Sequence, residues 1–218
     1  SSSNISTIIR NYKNNVDSTM NLKNPNTTGV ILAGGQARRM GGQDKGLIEL
    51  SGTPLIEYVI TVLQPQLENI VINANRNAGI YASYGFPVIA DDYEGYNGPL
   101  AGIASCMKAI DTEYLITTPC DTPLLPQDLV SRMFVSLEEN QAEISVADSG
   151  ERLQPVFSLI KCSLLDSLLD YLDAGERKID RWFKQHRMST VDFSDQPDTF
   201  LNVNTPEDIK EMESRHKA

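Results

Sequence analysis

Histidine is almost missing from this chain: His186 and His216 are the only two in 218 residues. A histidine-based catalytic triad or a zinc centre therefore has little to build on, and both histidines read as solvated positions of C-terminal helices. No Gly-x-Ser-x-Gly elbow is present to carry a hydrolase serine. Cysteine is as thin. Cys106, Cys120 and Cys162 stand far apart, with no Cys-x-x-Cys and no metal-ligand spacing, which argues for reduced thiols rather than a disulfide framework. No apolar run approaches the roughly 18 residues that a membrane span needs, and the N-terminal residues lack the apolar core of a signal peptide, so a cytoplasmic protein without a membrane partner is expected. Positive charge is short too: 19 basic against 29 acidic residues leave a net charge of −10, a poor match for a nucleic-acid surface. Finally, the familiar phosphate-binding fingerprints are absent. No Gly-x-Gly-x-x-Gly follows the first apolar run, and no Gly-x4-Gly-Lys-Ser/Thr occurs anywhere, which argues against a dinucleotide-binding domain and a P-loop enzyme.

What the chain does contain is the stretch Thr28 to Gly46, TGVILAGGQARRMGGQDKG. Val30-Ile31-Leu32 reads as a short strand that empties into a loop with Gly34, Gly35, Gly41 and Gly42. Arg38, Arg39 and Lys45 are threaded through that loop, with Asp44 its only acid. Glycines let backbone N–H groups approach an anion closely, and basic side chains neutralise it. On an acidic chain this local basicity favours a small polyanionic ligand.

The 40% hydrophobic content suits a globular core. Residues 1–27 are rich in Ser, Asn and Thr and are expected to form a flexible extension. From Thr28 to the end, strand-like and helix-like segments alternate. Strands are expected at Val30–Leu32, Ile70–Ile72, Val88–Ile89, Tyr114–Thr117, Ile144–Val146, Val156–Ile160, Val191–Phe193 and Phe200–Val203. Helices are expected over Pro54–Leu63, Gly98–Ile110, Gln127–Glu138, Leu164–Leu172, Ile179–His186 and from Thr205 onward, where a hydroxyl, a proline and two acids make a capped start. This pattern predicts one α/β domain over residues 28–218, a Rossmann-like three-layer sandwich with a mostly parallel sheet. Ligands of such sheets bind outside the carboxyl ends of the strands. The polar residues that follow expected strands (the glycine loop, Asn73, Asp91, Asp121, Asn202 and Asn204) therefore fall on one edge. Each alone also reads as turn or cap chemistry.

The segment LAGGQARRMGGQDK from Leu32 to Lys45 resembles the signature of the NTP-transferase-like nucleotidyltransferases. With VINANR at 71–76, GPLAG at 98–102, TPCDTP at 118–123, QPVF at 154–157, AGER at 174–177 and NVNTPED at 202–208, the chain is similar to the molybdenum cofactor guanylyltransferase family within them. The related enzymes that transfer CMP tend to carry Leu-Ala-Ala-Gly at the loop and aspartates where this chain has Asn202 and Asn204. The resemblance implies transfer of GMP from GTP to the terminal phosphate of molybdopterin or Mo-molybdopterin with Mg2+. The alternatives it leaves are transfer from CTP, a sugar-phosphate acceptor, or a nucleotide-binding regulator that has lost the chemistry. It implies that Leu32, Ala33, Gly34 and Gly35 line the nucleotide, that Lys45 and Arg39 act on the phosphates, that Asn73 and Asp91 contact the nucleoside, and that Asp121 binds GTP and holds the metal. Gly98, Gly102, Arg177, Asn202 and Asn204 are assigned to the molybdopterin side. Gly98 and Gly102 read equally well as a helix packed closely on the sheet, and Arg177 as a charge at a helix end. Partner proteins implied in the same way are a molybdenum insertase, a P-loop accessory protein and molybdoenzyme chaperones.

Overall fold

A computed structural model describes residues 24–34, 36–37, 43–92, 98–196 and 198–216. In chain order the strands are β1 (Asn24–Leu32), β2 (Gln36–Ala37), β3 (Gln43–Asp44), β4 (Glu49–Leu50), β5 (Thr53–Pro54), β6 (Leu67–Asn73), β7 (Val88–Ile89), β8 (Tyr114–Pro119), β9 (Ile144–Asp148), β10 (Leu153–Lys161) and β11 (Met188–Asp192). The helices are α1 (Leu55–Leu63), α2 (Ala78–Ala82), α3 (Pro99–Ala109), α4 (Leu129–Glu139), α5 (Leu165–Asp173), α6 (Ile179–Phe183) and α7 (Pro206–His216).

Seven strands form the central sheet in the order β11-β9-β10-β8-β1-β6-β7. β1 pairs in parallel with β6 on one side and β8 on the other, and β6 continues in parallel to β7. β10 runs antiparallel to both β8 and β9, because only a tight turn around Gly150 (φ +85°) separates it from β9. The expected three-layer α/β sandwich with a mostly parallel sheet is therefore the fold.

Alternation along β1 explains the layers. Ile31 joins the apolar cluster of α1 and α4, with Ile56, Val59, Met133 and Phe134. Its neighbour Val30 joins the opposite cluster, with Leu100 and Ile103 of α3, Leu168 of α5 and Trp182 of α6. Successive side chains of a strand point to opposite faces, so a continuous apolar run here means helices on both sides. A third, smaller cluster joins Leu50 and Leu55 to Val203 and Met212. It docks α7 beneath the β4–β5 hairpin, at the carboxyl edge of β1.

The structure corrects the sequence reading in several places. β1 begins at Asn24, and Thr27 and Thr28 are buried, so Asn24–Thr27 belong to the sheet rather than to an N-terminal extension; residues 1–23 lie outside the described residues. Phe200–Val203 is not a strand: its backbone leaves the sheet, although Phe200 and Val203 are both buried. The helix expected over Ile179–His186 stops at Phe183. His186 is half-buried, with Nε2 3.0 Å from the Ser167 hydroxyl and its ring edge-on to Trp182, rather than solvated.

Candidate functional site

The carboxyl ends of β1, β6, β7 and β8 share one edge of the sheet. β1 and β8 remain stitched one residue past their pairing, where the Cys120 N–H donates to the Leu32 carbonyl at 3.1 Å. The next residue is Asp121, only 4% exposed. Its carbonyl accepts the Val203 N–H at 3.0 Å, and the Thr122 hydroxyl donates to Asn202 Oδ1 at 2.9 Å. The segment before α7 is thereby fastened over the end of β8. Asp208 finishes the job from within the helix: its Oδ2 accepts the N–H groups of Asn204 and Thr205, at 2.8 and 2.9 Å, and its own N–H donates to the Thr205 hydroxyl at 3.2 Å. This reciprocal cap satisfies helix-end donors and fixes Asn204 at the rim.

Into this rim reaches Lys45. Its Nζ donates to Asp121 Oδ2 at 2.8 Å and to Asn204 Oδ1. The lysine stands at the start of a single 3-10 turn, Lys45–Leu47. Gly46 explains how the turn can lie so flat. A Cβ there would meet the Tyr81 hydroxyl at 3.1 Å and the Cys120 side chain at 3.3 Å, so the glycine lets the lysine's turn lie close to the end of β8 without displacing them.

The other half of the edge is a web of amides and carboxylates. Asn73, at the end of β6, is 4% exposed. Its Nδ2 donates to Asp91 Oδ1 at 2.8 Å and to the Ile89 carbonyl at 3.1 Å. Asn75 Nδ2 donates to Asp91 Oδ2 at 2.8 Å, and Asn75 Oδ1 accepts the Asp91 N–H at 2.7 Å. Asp92 is tied to α3 through its N–H and the buried Ser105 hydroxyl, at 2.9 Å. One residue before Lys45, Asp44 has a side chain only 2% exposed; it forms an ion pair with Arg76 and accepts from Asn77 Nδ2 at 2.7 Å. A carboxylate so enclosed must be compensated by a cation or by several donors. Asn75, Arg76 and Asn77 therefore brace two acids, Asp91 after β7 and Asp44 in β3.

Most of the residues expected from the sequence meet here. Leu32, Ala33 and Gly34 run from β1 across the middle of the edge, and the Ala33 N–H is held by the Asn73 carbonyl at 2.8 Å. Gly102 lies under Asn73, where a Cβ would come within 2.8 Å of the amide carbon. It thus lets α3 pack closely beneath the Asn73–Asp91 half of the edge, the close helix packing that the sequence also allowed. Gly98 (φ +150°) opens α3, where a Cβ would stand 4.0 Å from the Arg177 carbonyl, and the Arg177 guanidinium donates to the carbonyls of Leu172 and Glu176 at the end of α5. Gly35 and Arg39 lie outside the described residues. The sequence reading gave no site role to Asp44, Asn75, Arg76, Asn77 and Thr122, whereas the capped start it expected at Thr205 is the one Asp208 completes. One signal was available: alternation puts Asn73 and Asn75, two residues apart at a strand end, on the same side.

Burial pushes the Cys120 thiol well up, and the neighbouring Asp121 carboxylate adds to the effect. The protonated thiol is no nucleophile. A cavity of about 510 Å3 between α5 and α6, lined by Ser167, Tyr171, Arg181 and neighbours, shares no residue with this cluster. Chemistry rather than volume locates the site.

A lysine, buried carboxylates and several amides on the carboxyl edge of a parallel sheet, beside a glycine loop, form a place for a phosphorylated nucleoside. Comparison with known proteins agrees. Residues 29–191 match the family described as the MobA-like NTP transferase domain. The molybdenum cofactor guanylyltransferase of Shewanella sp. strain ANA-3 is 54% identical over 178 residues, covering 82% of this chain and 90% of that protein. The one from Shewanella halifaxensis is 55% identical over 183 residues, covering 84% and 92%. Among solved structures, molybdopterin-guanine dinucleotide biosynthesis protein A from Archaeoglobus fulgidus superposes with a TM-score of 0.74 at 22% identity, over 88% of this chain and 98% of that one. A match of this depth along nearly the whole domain, with Lys45, Asp121 and Asn204 gathered at one strand edge, makes the chain a nucleotidyltransferase of the MobA-like family and a member of the molybdenum cofactor guanylyltransferases.

Proposed function

We propose that the protein transfers GMP from GTP to the terminal phosphate of molybdopterin, giving molybdopterin guanine dinucleotide and pyrophosphate. The observation that carries this reading is the meeting of Lys45, Asp121 and Asn204, which brings the end of the glycine loop and the segment before α7 together over the end of β8. The nucleotide lies along Leu32, Ala33 and Gly34, with its base toward Asn73 and Asp91 and its phosphates toward Lys45. The acceptor approaches from the side of Asn202, Asn204, Gly98 and Arg177. Gly35 and Arg39 belong to the same nucleotide and phosphate roles by their place in the loop.

An oxygen of the acceptor phosphate forms a bond to the α-phosphorus of GTP. The bond from that phosphorus to the bridging oxygen breaks, and pyrophosphate leaves with the electron pair. A phosphate monoester has a second pKa of about 6 and is mostly dianionic near neutral pH, so the attack needs no general base. What the chain must supply is charge neutralisation and alignment of two polyanions. Lys45 does this from one side, and the amides of Asn202 and Asn204 add donors without adding negative charge.

Among the described residues no cluster of three or more His, Cys, Asp or Glu side chains is gathered for a metal, so a Mg2+ ion here would rely on Asp121 together with oxygens of the substrate phosphates. Asp121 offers a nearly buried carboxylate, Asn204 an amide oxygen, and the Lys45 ammonium already sits on both, so the oxygens are arranged for a cation. Mg2+ is held by one or two carboxylates plus substrate phosphates and water, and when bound it neutralises phosphate charge. On this reading Asp121 would be its protein ligand, and the Lys45 ammonium that now contacts Asp121 would be free to serve the phosphates.

On the same reading the acceptor comes from a molybdenum insertase, with a P-loop accessory protein assisting. The product passes to molybdoenzymes and their chaperones in the cytoplasm. Among the described residues no helix is long and apolar enough to cross a membrane. The test is to incubate the protein with molybdopterin, Mg2+ and each of GTP, CTP and ATP, and to follow pyrophosphate. Release with GTP alone is expected. Release with CTP in place of GTP would overturn the assignment of the nucleotide.

A further inference from the structure

Asn75 stands out among the residues that no role has yet absorbed. It is an exposed side chain on an irregular segment, yet both ends of its amide are committed to one residue. Nδ2 donates to the Asp91 carboxylate at 2.8 Å and Oδ1 accepts the Asp91 N–H at 2.7 Å. Only one orientation of the amide satisfies both, so the contact fixes the backbone and the side chain of Asp91 together. The other carboxylate oxygen is held by Asn73 Nδ2. Among the described residues each oxygen of Asp91 thus has one donor and keeps one lone pair. Asn75 also borders the nucleotide loop, its Nδ2 3.7 Å from where a Cβ of Gly34 would stand. The amide therefore sits between the loop after β1 and the acid after β7, the two walls between which a base enters.

We infer that Asn75 is a positioning residue for guanine selection: it aims the Asp91 carboxylate so that its two remaining lone pairs face a base edge with two adjacent donors. Guanine presents such a pair in N1–H and the 2-amino group. Hypoxanthine keeps N1–H and lacks the amino group, and cytosine and adenine cannot fill both positions. The inference rests on the reading that Asp91 contacts the guanine edge, and it adds that the selectivity depends on the clamp from Asn75 as much as on the carboxylate. A two-point hydrogen-bonded contact discriminates between bases by roughly tenfold or more, and a carboxylate free to swing loses most of that.

The test compares binding of GTP and ITP, titrated calorimetrically with Mg2+ and no acceptor, in wild type, Asn75→Ala, Asn75→Asp and Asp91→Asn. Wild type is expected to prefer GTP by roughly tenfold or more. Asn75→Ala should weaken GTP by about tenfold while changing ITP less, so that the ratio falls toward one; with turnover measured as well, the loss should appear in KM rather than kcat. Asn75→Asp keeps the shape and the acceptor but sets a carboxylate against Asp91 Oδ2, and should be worse than Asn75→Ala. If Asp91→Asn abolishes the preference and both Asn75 variants keep it, the positioning role is refuted while the base-reading role of Asp91 stands. If Asp91→Asn keeps the GTP/ITP ratio of wild type, the base-reading assignment itself falls, and that of Asn75 with it. Asn75 is exposed and in no core cluster, so both variants should melt close to wild type without nucleotide. A lower GTP/ITP ratio in a protein of unchanged stability is what a merely structural asparagine would not produce.

Discussion

Replacing Arg76 by Met should cost stability well beyond what an exposed arginine usually contributes. The reason is its partner. The Asp44 side chain is 2% exposed, and its compensation among the described contacts is the Arg76 guanidinium and one neutral donor from Asn77. Removing one member of a buried pair costs about 3–5 kcal/mol, because the remaining charge is left uncompensated. Here the Arg76 side chain is 41% exposed, so water can follow the lost guanidinium, and screening lowers the expectation to about 2 kcal/mol. For a domain of this size each kcal/mol moves the midpoint by about 2–4 °C, so a fall of about 4–8 °C is expected in thermal melts without ligand. The double variant Asp44→Asn/Arg76→Met carries no orphaned charge and should recover more than half of the loss, since replacing both partners is far cheaper than removing one. A single variant within about 0.5 kcal/mol of wild type, the range of ordinary surface changes, would refute the argument. So would a double variant no more stable than the single one. Because Asp44 directly precedes Lys45, Arg76→Met should also raise KM for GTP, measured at a temperature where the variant is fully folded.

Lys45→Ala should lower kcat by about 100- to 1,000-fold, the usual effect of losing one preorganised group that stabilises charge in the transition state; wild-type rates of pyrophosphate release would remove Lys45 from the mechanism. Asp121→Asn should abolish metal-dependent turnover, and a rate matching wild type at millimolar Mg2+ would dismiss Asp121 as the ligand. Gly102→Ala must push Asn73 away, since the new Cβ would lie 2.8 Å from the amide carbon; a stability loss of about 1–3 kcal/mol together with weaker GTP binding is expected, and tight GTP binding would show that Asn73 is dispensable. Burial raises the thiols of Cys106 and Cys162 to about 12 from an ordinary value near 9. The folded protein therefore keeps them neutral while the unfolded chain ionises above about pH 9. Their contribution to stability is complete below that pH and is lost as the pH rises from about 9 toward 12. Denaturant midpoints that stay level across that window, or fast labelling of these thiols at pH 8, would contradict it.

The layered architecture was legible because apolar runs bounded by turn residues are what strands buried on both faces look like; β6, β8 and β9 appear where such runs occur. Phe200–Val203 misled for the same reason. Phe200 and Val203 are buried, but the segment hangs from the Asp121 carbonyl rather than from a neighbouring strand, and an apolar run does not reveal what its backbone bonds to. Helix α2 went unseen because five residues that include Gly79 carry no usable period; it is started by Asn77 in the left-handed region (φ +51°) and held by buried Tyr81. At the site, residues distinctive in themselves, a lysine in a glycine loop and an aspartate between two prolines, could be read from the sequence. Beyond the shared side of Asn73 and Asn75, the roles of Asn75, Arg76 and Asn77 could not. Their roles are defined by carboxylates 16, 32 and 33 positions away, and sequence gives such residues only the identity of polar positions after a strand.

The contact between Lys45 and Asn204 spans 159 positions of sequence, and it gives synthesis a timetable. A nascent chain can assemble β1, β6 and β8 and the acids around Asp91 long before residues 202–204 exist. The Asn73–Asp91 half of the edge is thus available early, whereas the rim over Asp121 closes only after α7 has docked through Val203 and Met212. On the proposed function, a chain stopped before residue 202 would hold a nucleotide without the wall that orients an acceptor. The segment that carries Asn202 and Asn204 is therefore, on that function, the one that decides whether a bound nucleotide can be used.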